Sequence, residues 1–141
     1  MTIEFKAIGY VRTDATSVPR HWSVSDVQGD LDILPDYAEG LKDITVVESI
    51  VVMFNFHLSP KFGPENLFQT PPNRQEPRGV FSICSPIRPN PIGMSVVTVL
   101  ARKGGLITVQ GIDMINGTPI LDIKPWVTGR HDFPSSAPSD K

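Results

Sequence analysis

A single cysteine, Cys84, in a chain of 141 residues leaves nothing to close an intramolecular disulfide. His57, His131, Asp113 and Asp122 do not fall at metal-ligand spacing, so no metal is expected. The chain must therefore fold on its own apolar core, for which its length suffices as one domain. No apolar run approaches the roughly 20 residues of a membrane-crossing helix, and no basic-then-apolar leader opens the chain. The expectation is a cytoplasmic protein with no membrane contact. Net charge is only −2 and the pI about 5.9, which excludes a global basic field for nucleic acid. Neither G-x-G-x-x-G after a strand nor a Walker-type lysine loop is present, which argues against a Rossmann-type nucleotide site.

Prolines (14) and glycines (11) are plentiful and favour strands joined by shaped loops over long helices. Loose alternation over residues 4–12, clean alternation over 29–34 and a β-branched, aromatic run over 45–57 read as strands. Pro35 suits the start of a short helix with Tyr37, Ala38 and Leu41 on one face. Residues 79–84 are strand-like, residues 93–101 and 106–112 form a hairpin across Lys103-Gly104-Gly105, and residues 120–123 complete the sheet. The reading is all-β: one barrel-like domain over residues 1–128, with about seven mostly antiparallel strands, one short helix and long loops. Residues 129–141 form a tail, flexible or docked on a partner subunit. In the loop over residues 13–27, His21 and Trp22 can cover the barrel mouth or a partner surface, although a surface loop pinned by one aromatic describes them as well.

Two stretches carry the chemistry. Ser85-Pro86-Ile87-Arg88-Pro89-Asn90-Pro91-Ile92-Gly93 is stiffened by three prolines that fix φ and remove three backbone donors. It holds Arg88 and Asn90 as fixed polar groups between strand-like flanks; a proline corner with Arg88 in a local ion pair is the plainer alternative. Asp113-Met114-Ile115-Asn116-Gly117-Thr118-Pro119-Ile120-Leu121-Asp122-Ile123-Lys124-Pro125-Trp126 contains Asn116-Gly117, a tight turn that gathers Asp113, Asp122, Lys124 and Trp126. Together with Ile8-Gly9-Tyr10-Val11-Arg12 and Phe54-Asn55-Phe56-His57, these segments resemble the TsaA/TrmO-like family over residues 3–128. That family consists of S-adenosylmethionine-dependent β-barrel methyltransferases.

The resemblance implies S-adenosyl-L-methionine as cofactor, a homodimer, and N6-methylation of a hypermodified adenosine beside a tRNA anticodon. Methyl transfer to a small molecule, or a non-catalytic module that binds S-adenosylmethionine, remains open beside it. Phe56, Ile87 and Met94 would line the adenine slot, Arg88 or Asn90 would donate to the cofactor's carboxylate, and Asp113 or Asp122 would hold its amino group or ribose. Lys124, Trp126 and His57 would form the acceptor side, the indole serving as a stacking face. His57 fits equally well as a capping histidine bonded to a backbone carbonyl. Cys84, Ile87 and Ser49 stand where the family pattern carries Arg and His, so the cofactor pocket is expected to carry over better than the substrate. Asn116 and Trp126 replace Asp and Tyr; the first keeps the turn. The loop over residues 58–78, with five prolines, is expected to be a lid or binding loop; residues 59–88 carry a local basic excess.

Overall fold

Eight strands are present in the computed structural model, which describes residues 1–127. They are β1 (Gly9–Arg12), β2 (Gln28–Ile33), β3 (Ser49–Asn55), β4 (Phe68–Gln69), β5 (Arg78–Gly79), β6 (Ile92–Lys103), β7 (Leu106–Gln110) and β8 (Pro119–Pro125). Six of them close into an antiparallel barrel in the order β1-β2-β7-β6-β3-β8, and β4 and β5 pair with each other as a separate ribbon. The tail over residues 129–141, and its docking, lie outside the described residues.

Alternation along the strands explains the closure. Val11, Leu31, Ile33, Ile50, Val52, Phe54, Val97, Val99, Ile107, Val109 and Ile120 face inward and form one buried cluster with Ile112 and Met114. Since every barrel strand is paired on both edges, the expected strand over residues 79–84 has no edge to join. After β5 that segment instead turns through a 3-10 helix, Val80–Ser82, which buries Val80 and leaves Phe81 outside. The short helix expected after Pro35 is present as a 3-10 helix, Pro35–Leu41, that buries Leu41.

Turn chemistry follows the sequence with one adjustment. Gly104, at φ +60°, opens the two-residue hairpin between β6 and β7. At Asn116-Gly117 only Gly117 has a positive φ (+87°), and the Thr118 amide donates to the Ile115 carbonyl. That is a type II arrangement rather than a primed one.

A bulge in β8 decides where its charged residues point. Met53 pairs with Asp122 but Phe54 pairs with Ile120, so Leu121 is the extra residue. Strict alternation would put Ile120, Asp122 and Lys124 on one face. The bulge instead keeps Ile120 inside and moves Asp122 and Lys124 opposite Met53 and Val51, on the outer face of β3. No helix among the described residues is long and apolar enough to cross a membrane.

Candidate functional site

At one end of the barrel β3 runs out, β6 begins, and the connection from β7 to β8 crosses over. There a cleft of about 710 Å³ opens, within the size range of small-molecule and cofactor sites. Four segments build it: Val18–Trp22 from the β1–β2 loop, Phe54–Pro60 from the end of β3 and beyond, residues 83–94 from the proline-rich loop into β6, and Asp113–Thr118.

Its floor is ordered by small and aromatic residues. Gly93 lies opposite Phe54 in the β3–β6 ladder, and a Cβ there would overlap the Phe54 ring and lie 2.8 Å from Phe56 Cζ. The absent side chain lets Phe54 and Phe56 meet edge to face, with ring centroids 5.0 Å apart. Two residues along β6, Ser95 is fully buried and its hydroxyl donates to Asp113 Oδ1. Burial raises the Asp113 carboxyl above its ordinary value of 3.8; the Ser95 bond, a nearby His21 and backbone amides oppose the shift without cancelling it. Asp113 thus brings a partly desolvated carboxylate to a largely apolar cleft.

The rim is held by local bonds. Arg88 Nη1 donates to the carbonyls of Ile83 (2.8 Å) and Ser85 (3.3 Å), so the guanidinium clamps its own loop. The ion pairs among the described residues are Arg12–Asp32 and Lys124–Asp122, so the local ion pair entertained for Arg88 does not form. Opposite, His21 Nδ1 accepts the Ser23 amide at 3.2 Å and lies 2.7 Å from the Ser23 hydroxyl. Trp22 packs against His21 and meets Trp126 edge to face at 6.4 Å.

Of the residues singled out from sequence, the cleft brings together Phe56, His57, Arg88, Met94 and Asp113, with His21, Trp22 and Cys84 beside them. Ile87 and Asn90 belong to the same loop but do not line it. The Ile87 carbonyl accepts from Gln69 Nε2, and the Asn90 carbonyl accepts the Ile92 amide. Asp122 and Lys124 pair with each other at 2.9 Å on the outside of the barrel, a consequence of the β8 bulge. Trp126 does not line the cleft and reaches it only through Trp22. Sequence reasoning did not single out Arg20, Ser95 or Met114. Arg20 sits in a stretch without a motif, Ser95 lies at the end of the proline-rich family segment, and Met114 reads as an ordinary core residue. Alternation along β6 also marks Ser95, as a lone polar residue on an inward face.

Compared with known proteins, the chain matches the family described as tRNA-methyltransferase O N-terminal domain over residues 11–132. It is 37% identical, over 131 residues, to a probable S-adenosyl-L-methionine-binding protein of Pyrococcus abyssi, covering 90% of this chain and 70% of that one. It is 30% identical to the tRNA (adenine(37)-N6)-methyltransferase of Escherichia coli over 98% of this chain and 63% of that one. A crystal structure of TrmO from P. aeruginosa superposes on the whole chain with a TM-score of 0.71 at 32% identity. This chain spans 60% of that structure's length.

Proposed function

The chain belongs to the tRNA-methyltransferase O N-terminal-domain family, and from that premise we propose that it is an S-adenosyl-L-methionine-dependent methyltransferase acting on N6 of an adenine beside a tRNA anticodon. The observation that carries the reading is the cleft itself: a mostly apolar cavity with one half-buried carboxylate, to which three of the segments that carry the family resemblance contribute. Relatives whose names state S-adenosyl-L-methionine binding and tRNA adenine N6-methylation support it.

The cleft's residues suit that cofactor. Ser95 occupies one oxygen of Asp113 and leaves the other to accept from a ribose hydroxyl or an ammonium group. Phe56, Met94 and Trp22 offer apolar surface for a purine. Arg20 and the donors of Arg88 not spent on Ile83 and Ser85 suit an anionic carboxylate. When bound, S-adenosylmethionine supplies an electrophilic methyl group on a sulfonium; the protein's part is orientation and exclusion of water. N6-alkylation releases a proton. Asp113 is committed to Ser95 and the cofactor and His21 Nδ1 is engaged by Ser23, so the exposed His57 is the group on the cleft assigned to take that proton.

Residues 1–128 form the catalytic barrel in this reading. The protein is a two-fold homodimer in the cytoplasm, where tRNA is available. Exposed Ile92 and Met94 at the cleft mouth suit coverage by a second copy, and light scattering measures it. The decisive experiment is transfer of tritiated methyl from labelled cofactor into bulk tRNA, followed by nucleoside analysis. Label on N6-methylated adenosine is expected. Absence of label from tRNA, with cofactor binding demonstrated by calorimetry, refutes the tRNA assignment, and label in a low-mass fraction would move the acceptor to a small molecule.

A further inference from the structure

Beside the cleft, the arm over residues 61–88 carries two exposed aromatic rings. Phe68 in β4 is 68% exposed and Phe81, just past β5, is 79% exposed. Both rings stand in water although the chain has a core that could have buried them. The register of the ribbon explains Phe68. Gln69 pairs with Arg78, and its carboxamide donates to the Asn66 carbonyl (2.7 Å) and to the Ile87 carbonyl (2.9 Å). Gln69 therefore faces the proline-rich loop, and the alternate residue, Phe68, faces away. Across the ribbon Phe68 meets Gly79, where an added Cβ would touch nothing within 4 Å. One face of the Phe68 ring is open for another flat group to stack on.

The charge along the arm has a sign. From residue 59 to residue 88, Lys61, Arg74, Arg78 and Arg88 outnumber Glu65 and Glu76, in a chain whose net charge is −2. Arg74 and Arg78 are exposed and take no part in the ion pairs found among the described residues. The arm is also fastened to the cleft. Gln69 holds the Ile87 carbonyl, Ser59 donates to the Pro86 carbonyl at 3.1 Å, and Pro86 and Arg88 line the cavity.

Resting on the methyltransferase reading, we propose that this arm is the surface that grips the single-stranded loop of the RNA substrate. Phe68 stacks on an unpaired base neighbouring the target, while Arg74 in the β4–β5 connection and Arg78, which shares the Gln69 face of the ribbon, neutralise phosphates of the strand as it passes round the arm. An unpaired loop base can lie on an exposed ring without any duplex being melted, and stacking tolerates any base. A stacked neighbour held on an arm bonded to the cleft rim would limit the positions open to the target adenine.

The test uses the full chain, a fluorescent anticodon stem-loop RNA as probe and anisotropy as readout, with cofactor calorimetry and light scattering in parallel. Phe68→Ala is expected to weaken RNA binding about tenfold, with Phe68→Trp restoring it and cofactor affinity unchanged throughout. Arg74→Ala with Arg78→Ala is expected to flatten the slope of log affinity against log salt by about 1.4, at roughly 0.7 for each single-strand phosphate released. Unchanged RNA affinity in Phe68→Ala overturns the arm proposal and leaves the methyltransferase reading standing. Conversion of a dimer to a monomer by Phe68→Ala makes the patch a self-association surface and also overturns it. An unmodified protein that binds cofactor but not the RNA removes both the arm proposal and the tRNA reading.

Discussion

Exchanging the Asp113 carboxylate for a carboxamide (Asp113→Asn) separates the two consequences of placing an acid in this cleft. Oδ1 of Asn still accepts the hydrogen bond from the buried Ser95 hydroxyl, so the packing is kept. What is removed is the charge that burial disfavours. The folded-state pKa of Asp113 is raised above 3.8, so near that range the folded state binds more protons than the unfolded chain. Stability contributed by this group therefore falls as pH rises through the folded pKa, and the full deficit is present above it. Asp113→Asn is thus expected to be more stable than the parent at neutral pH, with the difference shrinking as pH falls below the folded pKa. Asp113→Ala should do the opposite. It leaves the fully buried Ser95 hydroxyl without its acceptor, at about 1–3 kcal/mol, or roughly 3–5 °C of melting temperature per kcal/mol for a chain of this size. Cofactor binding should weaken in both, because a hydrogen bond to a charged group contributes about 1.5–3 kcal/mol, some 10- to 150-fold in affinity. Scanning calorimetry from about pH 4 to about pH 8, with titration of S-adenosylmethionine at neutral pH, measures all three effects. A neutral-pH melting temperature for Asp113→Asn below the parent's, or a difference independent of pH, would refute the desolvation argument. Unchanged cofactor affinity would remove Asp113 from the binding site.

Three further substitutions probe other links. Val47, a β-branched residue that is 79% exposed, sits at φ +67° while its amide donates to the Val99 carbonyl at 2.8 Å; Val47→Gly should relieve that strain and raise stability by about 1 kcal/mol in urea unfolding. Gly93→Ala drives a methyl into the Phe54–Phe56 pair and is expected to destabilise by about 1–3 kcal/mol and to weaken cofactor binding, as thermal melts with and without ligand would report. Lys124→Ala removes an ion pair whose side chains are 64% and 50% exposed. Its stability should change by less than about 1 kcal/mol and its methyl-transfer rate should be unaltered, whereas a large rate loss would return Lys124 to the acceptor side.

The sequence by itself determined the strands whose residues alternate, and with them the class of fold. Leu31 and Ile33, Ile107 and Val109, and the run over residues 45–57, of which Ser49–Asn55 forms β3, announce faces that must be buried together, and Gly104-Gly105 announces the reversal between two of them. The proline-rich loop was equally legible, since its φ angles are set by covalent rings whatever surrounds them. Asp113, Phe56, His57, Arg88 and Met94 could be named as candidates because segments that resemble a known family carried them.

What only the tertiary structure decided is which of those candidates share a space. Closure of the barrel denied residues 79–84 an edge and made them a 3-10 turn, an outcome that depends on pairings far away in the chain. One extra residue in β8 reversed the facing of Asp122 and Lys124, because a sheet has a period of two and a bulge shifts its phase. Val18–Trp22 has no periodicity to read, yet the fold lays it across the cleft beside Asp113. Local sequence records the preferences of each segment, whereas a site is a coincidence of segments brought together by long-range pairing.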